Sequence, residues 1–229
     1  MLTIENLQVC YAPGKNILKG LSLSLETEKI HGIAGLNGSG KTTLLNTLYA
    51  FLKPCGGAIY YNGHSLQRKE IGYLETENYF YPYITGQEYL DLFPAGNGSF
   101  QVETWNELFA LPLRQVTEDY STGMKKKLAL LAVLKMDKPV LILDEPFNGL
   151  DLETSHLLVM LLTHLREKGK TILITSHIYE TLVSCCDFIH YMQDGTILQS
   201  YRQENFNDLK DLLHATIEKN AAEAIRKLF

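Results

Sequence analysis

Apolar positions in the first sixty residues fall in short alternating or continuous runs, the spacing of strands more than of helices. Leu2 to Val9 alternates imperfectly yet reads as a strand, followed by Tyr11 and a turn at Pro13-Gly14-Lys15. Leu21-Ser22-Leu23-Ser24-Leu25 alternates cleanly, as a half-buried antiparallel strand does. Ile30 to Ala34 is a short apolar strand, and Thr43 to Leu48 after it can run as a helix. Gly56-Gly57 opens another strand through Tyr61, closed by a turn at Asn62-Gly63. From Thr85 to about Lys135 the period becomes helical, interrupted at Pro94-Ala95-Gly96-Asn97-Gly98. Trp105, Leu108 and Phe109 sit at helical spacing there and are expected to pack inward.

The second half alternates strands with helices. Val140-Leu141-Ile142-Leu143 is an unbroken apolar run ending in Asp144-Glu145, as a strand buried on both faces of a parallel sheet reads. Thr154 to Glu167 is amphipathic, and Thr171 to Thr175 is a second buried strand with Ser176-His177 at its end. Phe188 to Met192 and Thr196 to Leu198 flank Asp194-Gly195 as a hairpin. From Asn205 onward, Phe206, Leu209, Leu212, Leu213, Ile217, Ala221 and Ile225 recur at helical steps. No repeat, low-complexity stretch or linker divides the chain, so 1–229 is expected to be a single domain.

Composition narrows the function only a little. The 229 residues suffice for a sizeable core, and a net charge of -5 argues against a dedicated nucleic-acid binder. No apolar run approaches the roughly 20 residues of a membrane span. The N-terminus lacks the layout of a signal peptide, so a soluble intracellular protein is expected. Cys10, Cys55, Cys185 and Cys186 match no zinc spacing and are expected to be buried reduced thiols. Lys125-Lys126-Lys127 reads as the solvated first turn of a helix more than as a nucleic-acid contact.

The chemistry concentrates at Gly35-Leu36-Asn37-Gly38-Ser39-Gly40-Lys41-Thr42-Thr43, which has the spacing of a phosphate-binding P-loop between a strand and a helix. Its glycines let backbone N–H groups converge on phosphate oxygens, and the helix start adds a positive end. Asn37, Gly38, Ser39, Gly40, Lys41, Thr42 and Thr43 are the candidate nucleotide-binding residues. Lys41 reaches the β- and γ-phosphates, and the Thr42 hydroxyl is placed for Mg²⁺. Asp144, at the carboxyl end of its strand, is the second candidate Mg²⁺ ligand. Glu145 beside it is positioned to orient and deprotonate an attacking water.

Walker A at Gly35 to Thr42, Walker B at Val140 to Asp144 and Glu145 stand in the order of ATP-binding-cassette (ABC) ATPases. Asn148-Gly149-Leu150-Asp151 resembles that family's D-loop through Asp151, and Ser176-His177 resembles its switch histidine. Tyr120-Ser121-Thr122-Gly123-Met124 falls where the Leu-Ser-Gly-Gly-Gln signature belongs, keeping Ser121 and Gly123 but replacing a glycine with Thr122. If that position needs a positive φ, Thr122 carries a backbone cost there. In the Q-loop, counting along Ile71 to Glu77 puts Thr76 at the glutamine position near Mg²⁺. Tyr11 matches the aromatic residue that stacks on adenine.

The resemblance implies an α/β P-loop NTPase with a RecA-like parallel sheet core, an antiparallel β subdomain and a helical subdomain at about 80–137. Residues from about 205 to 229 then form a C-terminal helical tail. It implies ATP and Mg²⁺ as cofactors, with Lys41, Glu145 and His177 catalytic. It also implies a head-to-tail dimer in which Ser121, Thr122 and Gly123 cap the γ-phosphate in trans. The implied partners are a second cassette, as homodimer or heterodimer, and a multi-spanning membrane permease, with no nucleic acid. The chain would then be cytoplasmic, peripheral on the inner face of the membrane, and docked through Tyr79-Phe80-Tyr81-Pro82-Tyr83-Ile84. The short chain and Tyr-Ser-x-Gly-Met signature resemble bacterial ABC-2-type exporter cassettes. A soluble ABC ATPase of a cytosolic assembly system is the alternative.

Overall fold

A computed structural model describes residues 1–12, 15–96 and 100–226. The expected turn residues Pro13 and Gly14, and Asn97 and Gly98 of the helical interruption, lie outside them. The strands are β1 (Leu2–Ala12), β2 (Lys15–Leu25), β3 (Ile30–Ala34), β4 (Gly56–Tyr61) and β5 (His64–Ser65). They continue with β6 (Ile71–Leu74), β7 (Val140–Leu143), β8 (Thr171–Thr175), β9 (Phe188–Gln193) and β10 (Thr196–Arg202). One sheet is antiparallel in the order β2-β1-β4-β5; the other runs β10-β9-β3-β8-β7-β6. In the second, β6, β7, β8, β3 and β9 are parallel, and β10 folds back antiparallel on β9.

The helices are α1 (Lys41–Leu48), α2 (Gly86–Asp91), α3 (Val102–Phe109), α4 (Thr122–Lys135), α5 (Leu152–Glu167), α6 (Tyr179–Cys185) and α7 (Phe206–Arg226). Burial on both faces explains the unbroken apolar strands. In β7, Leu141 and Leu143 join the core with Leu128, Leu131, Leu158 and Leu162 from α4 and α5. Val140 and Ile142 face the other way, into a core with Leu44 and Leu45 of α1 and Leu2, Ile4 and Leu7 of the antiparallel sheet. Each fully buried Leu or Ile contributes about 1.5–3 kcal/mol, so the parallel sheet is pinned from both sides. That fixes the carboxyl ends of β3, β7 and β8 at one edge.

Three sequence expectations outside the candidate site need correction. Trp105 and Phe109, four residues apart on α3, pack on the core, but Leu108 beside them is 47% exposed. Cys10 and Cys55 are not buried thiols: they form a disulfide with their Cα atoms 6.3 Å apart. The antiparallel pairing of β1 with β4 aligns Gln8 with Gly56 and brings the two cysteines together, which spacing along the chain does not reveal. Cys185 and Cys186 are buried and free, as expected. Finally, Thr122 begins α4 without a positive φ, so the anticipated backbone cost is absent.

The C-terminal α7 buries Phe206, Leu209 and Leu213 and leaves Leu212, Ile217 and Ile225 exposed. Among the described residues, no helix is long and apolar enough to cross a membrane.

Candidate functional site

The P-loop leaves β3 at Gly35 and enters α1 at Lys41. A Cβ at Gly35 would stand 2.3 Å from the Met192 carbonyl oxygen of β9, so only glycine lets the loop leave the sheet there. Gly40 has φ 107° and directly precedes α1, turning the chain sharply into the helix. Lys41 Nζ curls back over the loop and donates to the carbonyls of Gly35 (2.7 Å) and Leu36 (3.2 Å). Burial lowers the pKa of its ammonium, opposed by the charges of Glu145 and Asp144.

Across the cleft, Thr42 Oγ1 donates to Asp144 Oδ2 at 3.0 Å, joining the helix start to the end of β7. The other oxygen, Asp144 Oδ1, accepts from Thr175 Oγ1 at 2.5 Å. A hydroxyl and a single carboxylate are hard oxygen donors, the sparse protein set that suits Mg²⁺ shared with nucleotide phosphates. Among the described residues, no group of three or more His, Cys, Asp or Glu could build an all-protein metal cage. It is the hydroxyl of Thr42 beside the carboxylate of Asp144 that fits a Mg²⁺ shared with nucleotide phosphates.

Glu145 follows at once, buried and in the left-handed region at φ 49°. For a non-glycine residue such backbone costs of order 1–3 kcal/mol, and it persists where surrounding contacts enforce it. Here the Glu145 N–H donates to Thr175 Oγ1 at 3.0 Å, so one threonine holds both acids. His177 Nδ1 approaches Glu145 Oε1 to 2.9 Å without hydrogen-bond alignment, and the His177 N–H reaches Oε2 at 3.4 Å. Burial raises the Glu145 pKa, and His177 works against that shift. A buried carboxylate facing an open cleft is equipped to accept a proton.

Lys41, Thr42, Asp144, Glu145 and His177 line one open cleft of about 390 Å³ with Tyr11, Asn37, Gly38, Gly40, Thr43 and Thr76. Tyr11 is exposed, and its hydroxyl lies 3.3 Å from Thr43 Oγ1. Ser39 of the loop is buried, and among the described residues its hydroxyl has no hydrogen-bond partner. The signature residues stand elsewhere. Ser121 is exposed and caps α4 by accepting from Met124 N at 3.2 Å, and Thr122 is likewise exposed. Asp151 caps α5 by accepting from Thr154 N at 2.7 Å, which lowers its pKa. Ser121, Thr122, Gly123 and Asp151 do not line the cleft that holds Lys41 and Glu145.

The family model for ABC transporters matches residues 18–148, more than half of the chain and most of the site just described. The chain belongs to that family. As an ABC cassette it is 32% identical over 193 residues to the ABC transporter ATP-binding protein YtrB of Bacillus subtilis, covering 80% of this chain and 66% of that protein. It is 32% identical over 212 residues to the bacitracin transport ATP-binding protein BcrA of Enterococcus faecalis, covering 87% of this chain and 68% of BcrA. A solved ATP-binding subunit of an ABC transporter superposes with a TM-score of 0.82 at 25% identity, covering 97% of this chain and 98% of its own. The cassette MJ0796, solved as a dimer bound to ADP and Pi, shares the fold at TM-score 0.78 and 22% identity, over 89% of this chain and 99% of its own.

Two residues of this cassette escaped the sequence reading. Thr175 is an unremarked strand end until the fold sets it between Asp144 and Glu145. Lys126 corrects an expectation: far from being solvated, it is 7% exposed, and its Nζ donates to the carbonyls of Glu75 and Thr76. α4 faces inward at that position, just past its first turn, and burial lowers the Lys126 pKa to about 8. Its neighbours Lys125 and Lys127 are partly exposed.

Proposed function

We propose that this cassette is the ATP-hydrolysing subunit of an ABC transporter and works as one half of a nucleotide-gated pair. ATP lies with adenine on Tyr11 and phosphates along Asn37 to Thr43, Lys41 on the β- and γ-phosphates. Thr42 and Asp144 hold Mg²⁺, with Thr76 beside them, and the ion neutralises phosphate charge when bound. Glu145 accepts the proton of the attacking water, and His177 hydrogen-bonds the γ-phosphate. A second cassette, identical or related, contributes Ser121, Thr122, Gly123 and Asp151 from its own chain. The observation that carries this reading is the separation within one chain: the signature residues lie outside the cleft lined by Lys41, Glu145 and His177. One chain thus has only part of a site.

Closure and opening of such a pair act on a separately encoded membrane permease, with the cassette held on the cytoplasmic face. Support comes from the Q-loop side, where Tyr79 (71%), Tyr81 (54%) and Tyr83 (87%) are exposed while Phe80 between them packs on Tyr89. Exposed aromatics of this kind suit an interface core. Relatives such as BcrA carry transport in their names, and export is the direction we favour. The test is assembly: Glu145→Gln in saturating Mg-ATP is expected to run as a dimer in size-exclusion chromatography, and the parent is expected to co-purify a multi-spanning membrane protein from crosslinked cells. A monomer that persists with ATP and permease both present overturns the proposal.

A further inference from the structure

Lys126 is the fifth residue of α4, a few residues past Ser121, and its side chain reaches back to the loop that follows β6. Its Nζ donates to Glu75 O at 3.0 Å and Thr76 O at 3.1 Å, with a longer contact to Asp144 O at 3.4 Å. An ammonium has three donors, and each here meets a backbone carbonyl. Two segments are thereby tied to one nitrogen: the loop after β6 that carries Thr76, and the end of β7 that carries Asp144. The Asp144 N–H also donates to Leu74 O at 2.8 Å, so the two strand ends are locked before the loops diverge. Besides that bond, Lys126 links the Thr76 segment to the Walker B corner from the helical side.

Burying an ammonium is costly, and carbonyl oxygens and the nearby carboxylates of Asp144 and Glu145 offset that cost. Solvation of a surface lysine does not account for this position. Lys126 does not line the nucleotide cleft itself. It lines a neighbouring cavity of about 380 Å³ with Thr76, Thr122, Asn148 and Gly149, on the side where α4 begins. Thr76 borders both cavities.

We infer that Lys126 is a positioning residue for ATP hydrolysis: it fixes the Thr76 turn against the Asp144–Glu145 corner and links both to the helix that starts with the signature. A shift of α4 is then passed to the metal end of the chain's own nucleotide site through three carbonyl contacts. The inference rests on the ATPase reading above, with Glu145 as base. Misplacing a reacting group by an ångström costs about 100-fold in rate, so a clamp of this kind acts on kcat more than on binding.

The test compares Lys126→Met, which keeps the aliphatic stem without charge or donors, with Lys126→Arg, which keeps both. Phosphate release, binding of a fluorescent ATP analogue and amide hydrogen exchange over 74–78 are measured on the full chain. For Lys126→Met, kcat is expected to fall at least about 10-fold with KM and nucleotide affinity within about 3-fold, while 74–78 exchanges faster. Lys126→Arg is expected to recover most of kcat and protection. A kcat within about twofold of the parent, a matching loss of nucleotide affinity, or unchanged exchange overturns the inference. If Lys126→Met does not fold, Lys126→Leu, likewise without charge or donors, replaces it under the same kcat, affinity and exchange criteria. A parent that releases no phosphate defeats the ATPase reading instead, and the exchange measurement still decides the clamp.

Discussion

His177 Nδ1 and Glu145 Oε1 stand 2.9 Å apart, and the His177 N–H points at the second carboxylate oxygen from 3.4 Å. His177, the proposed switch residue, and Glu145, the proposed base, therefore face each other directly. Glu145→Gln removes the proton acceptor and keeps the volume. Hydrolysis is expected to fall by about 10²–10⁴ with ATP affinity retained, measured by phosphate release and nucleotide binding. An unchanged rate would show that the water loses its proton elsewhere.

The buried pair His31 and His190 predicts an acid limit to stability. His31 Nε2 meets the Glu26 carbonyl at 2.9 Å, His31 Nδ1 meets His190 Nε2 at 3.1 Å, and His190 Nδ1 meets Ser200 Oγ at 2.7 Å. A carbonyl only accepts, so a neutral chain runs one way: His31 Nε2–H to Glu26, His190 Nε2–H to His31, and the Ser200 hydroxyl to His190. Burial lowers both pKa values, that of His190 to about 3. Folded values below the unfolded 6.5 mean the unfolded state takes up protons first as pH falls. The stabilisation is complete above about pH 6.5 and drains away toward about pH 3, with His190 losing on the order of 2 kcal/mol between pH 6.5 and 5. Thermal melts across that range should show the fall, and His190→Gln should flatten it relative to the parent.

The disulfide predicts a redox effect on the antiparallel sheet. Cys10 and Cys55 are separated by 45 positions, and closing a loop of that size restricts the unfolded chain by about 4 kcal/mol on the chain-entropy account. Alkylation of the non-reduced, unfolded protein should label Cys185 and Cys186 alone, and reduction should expose all four thiols. Cys55→Ser should lower the denaturation midpoint to about that of the reduced parent. Four labelled thiols without reductant would exclude the bond.

Local signals set most of the candidate nucleotide site. The P-loop, the apolar run into Asp144-Glu145 and the strand ending at Ser176-His177 are legible because each depends on neighbours in sequence: glycine spacing, two-faced burial and a strand end. The same periodicity foretold β3, β7 and β8. What the chain order alone did not yield were contacts between residues dozens of positions apart. Thr175 under both acids, the carbonyl clamp of Lys126, the His31–His190 chain and the Cys10–Cys55 bond all depend on strand register and on which helix face turns inward. Hydrophobic spacing states that Leu128 and Leu131 are buried, but not that Lys126, two residues before Leu128, is drawn in by carbonyls that follow β6 and β7. Sequence determined which groups the cassette has for its chemistry; only the packed sheet decided which of them touch, because long-range pairing is set by the whole core and not by any one segment.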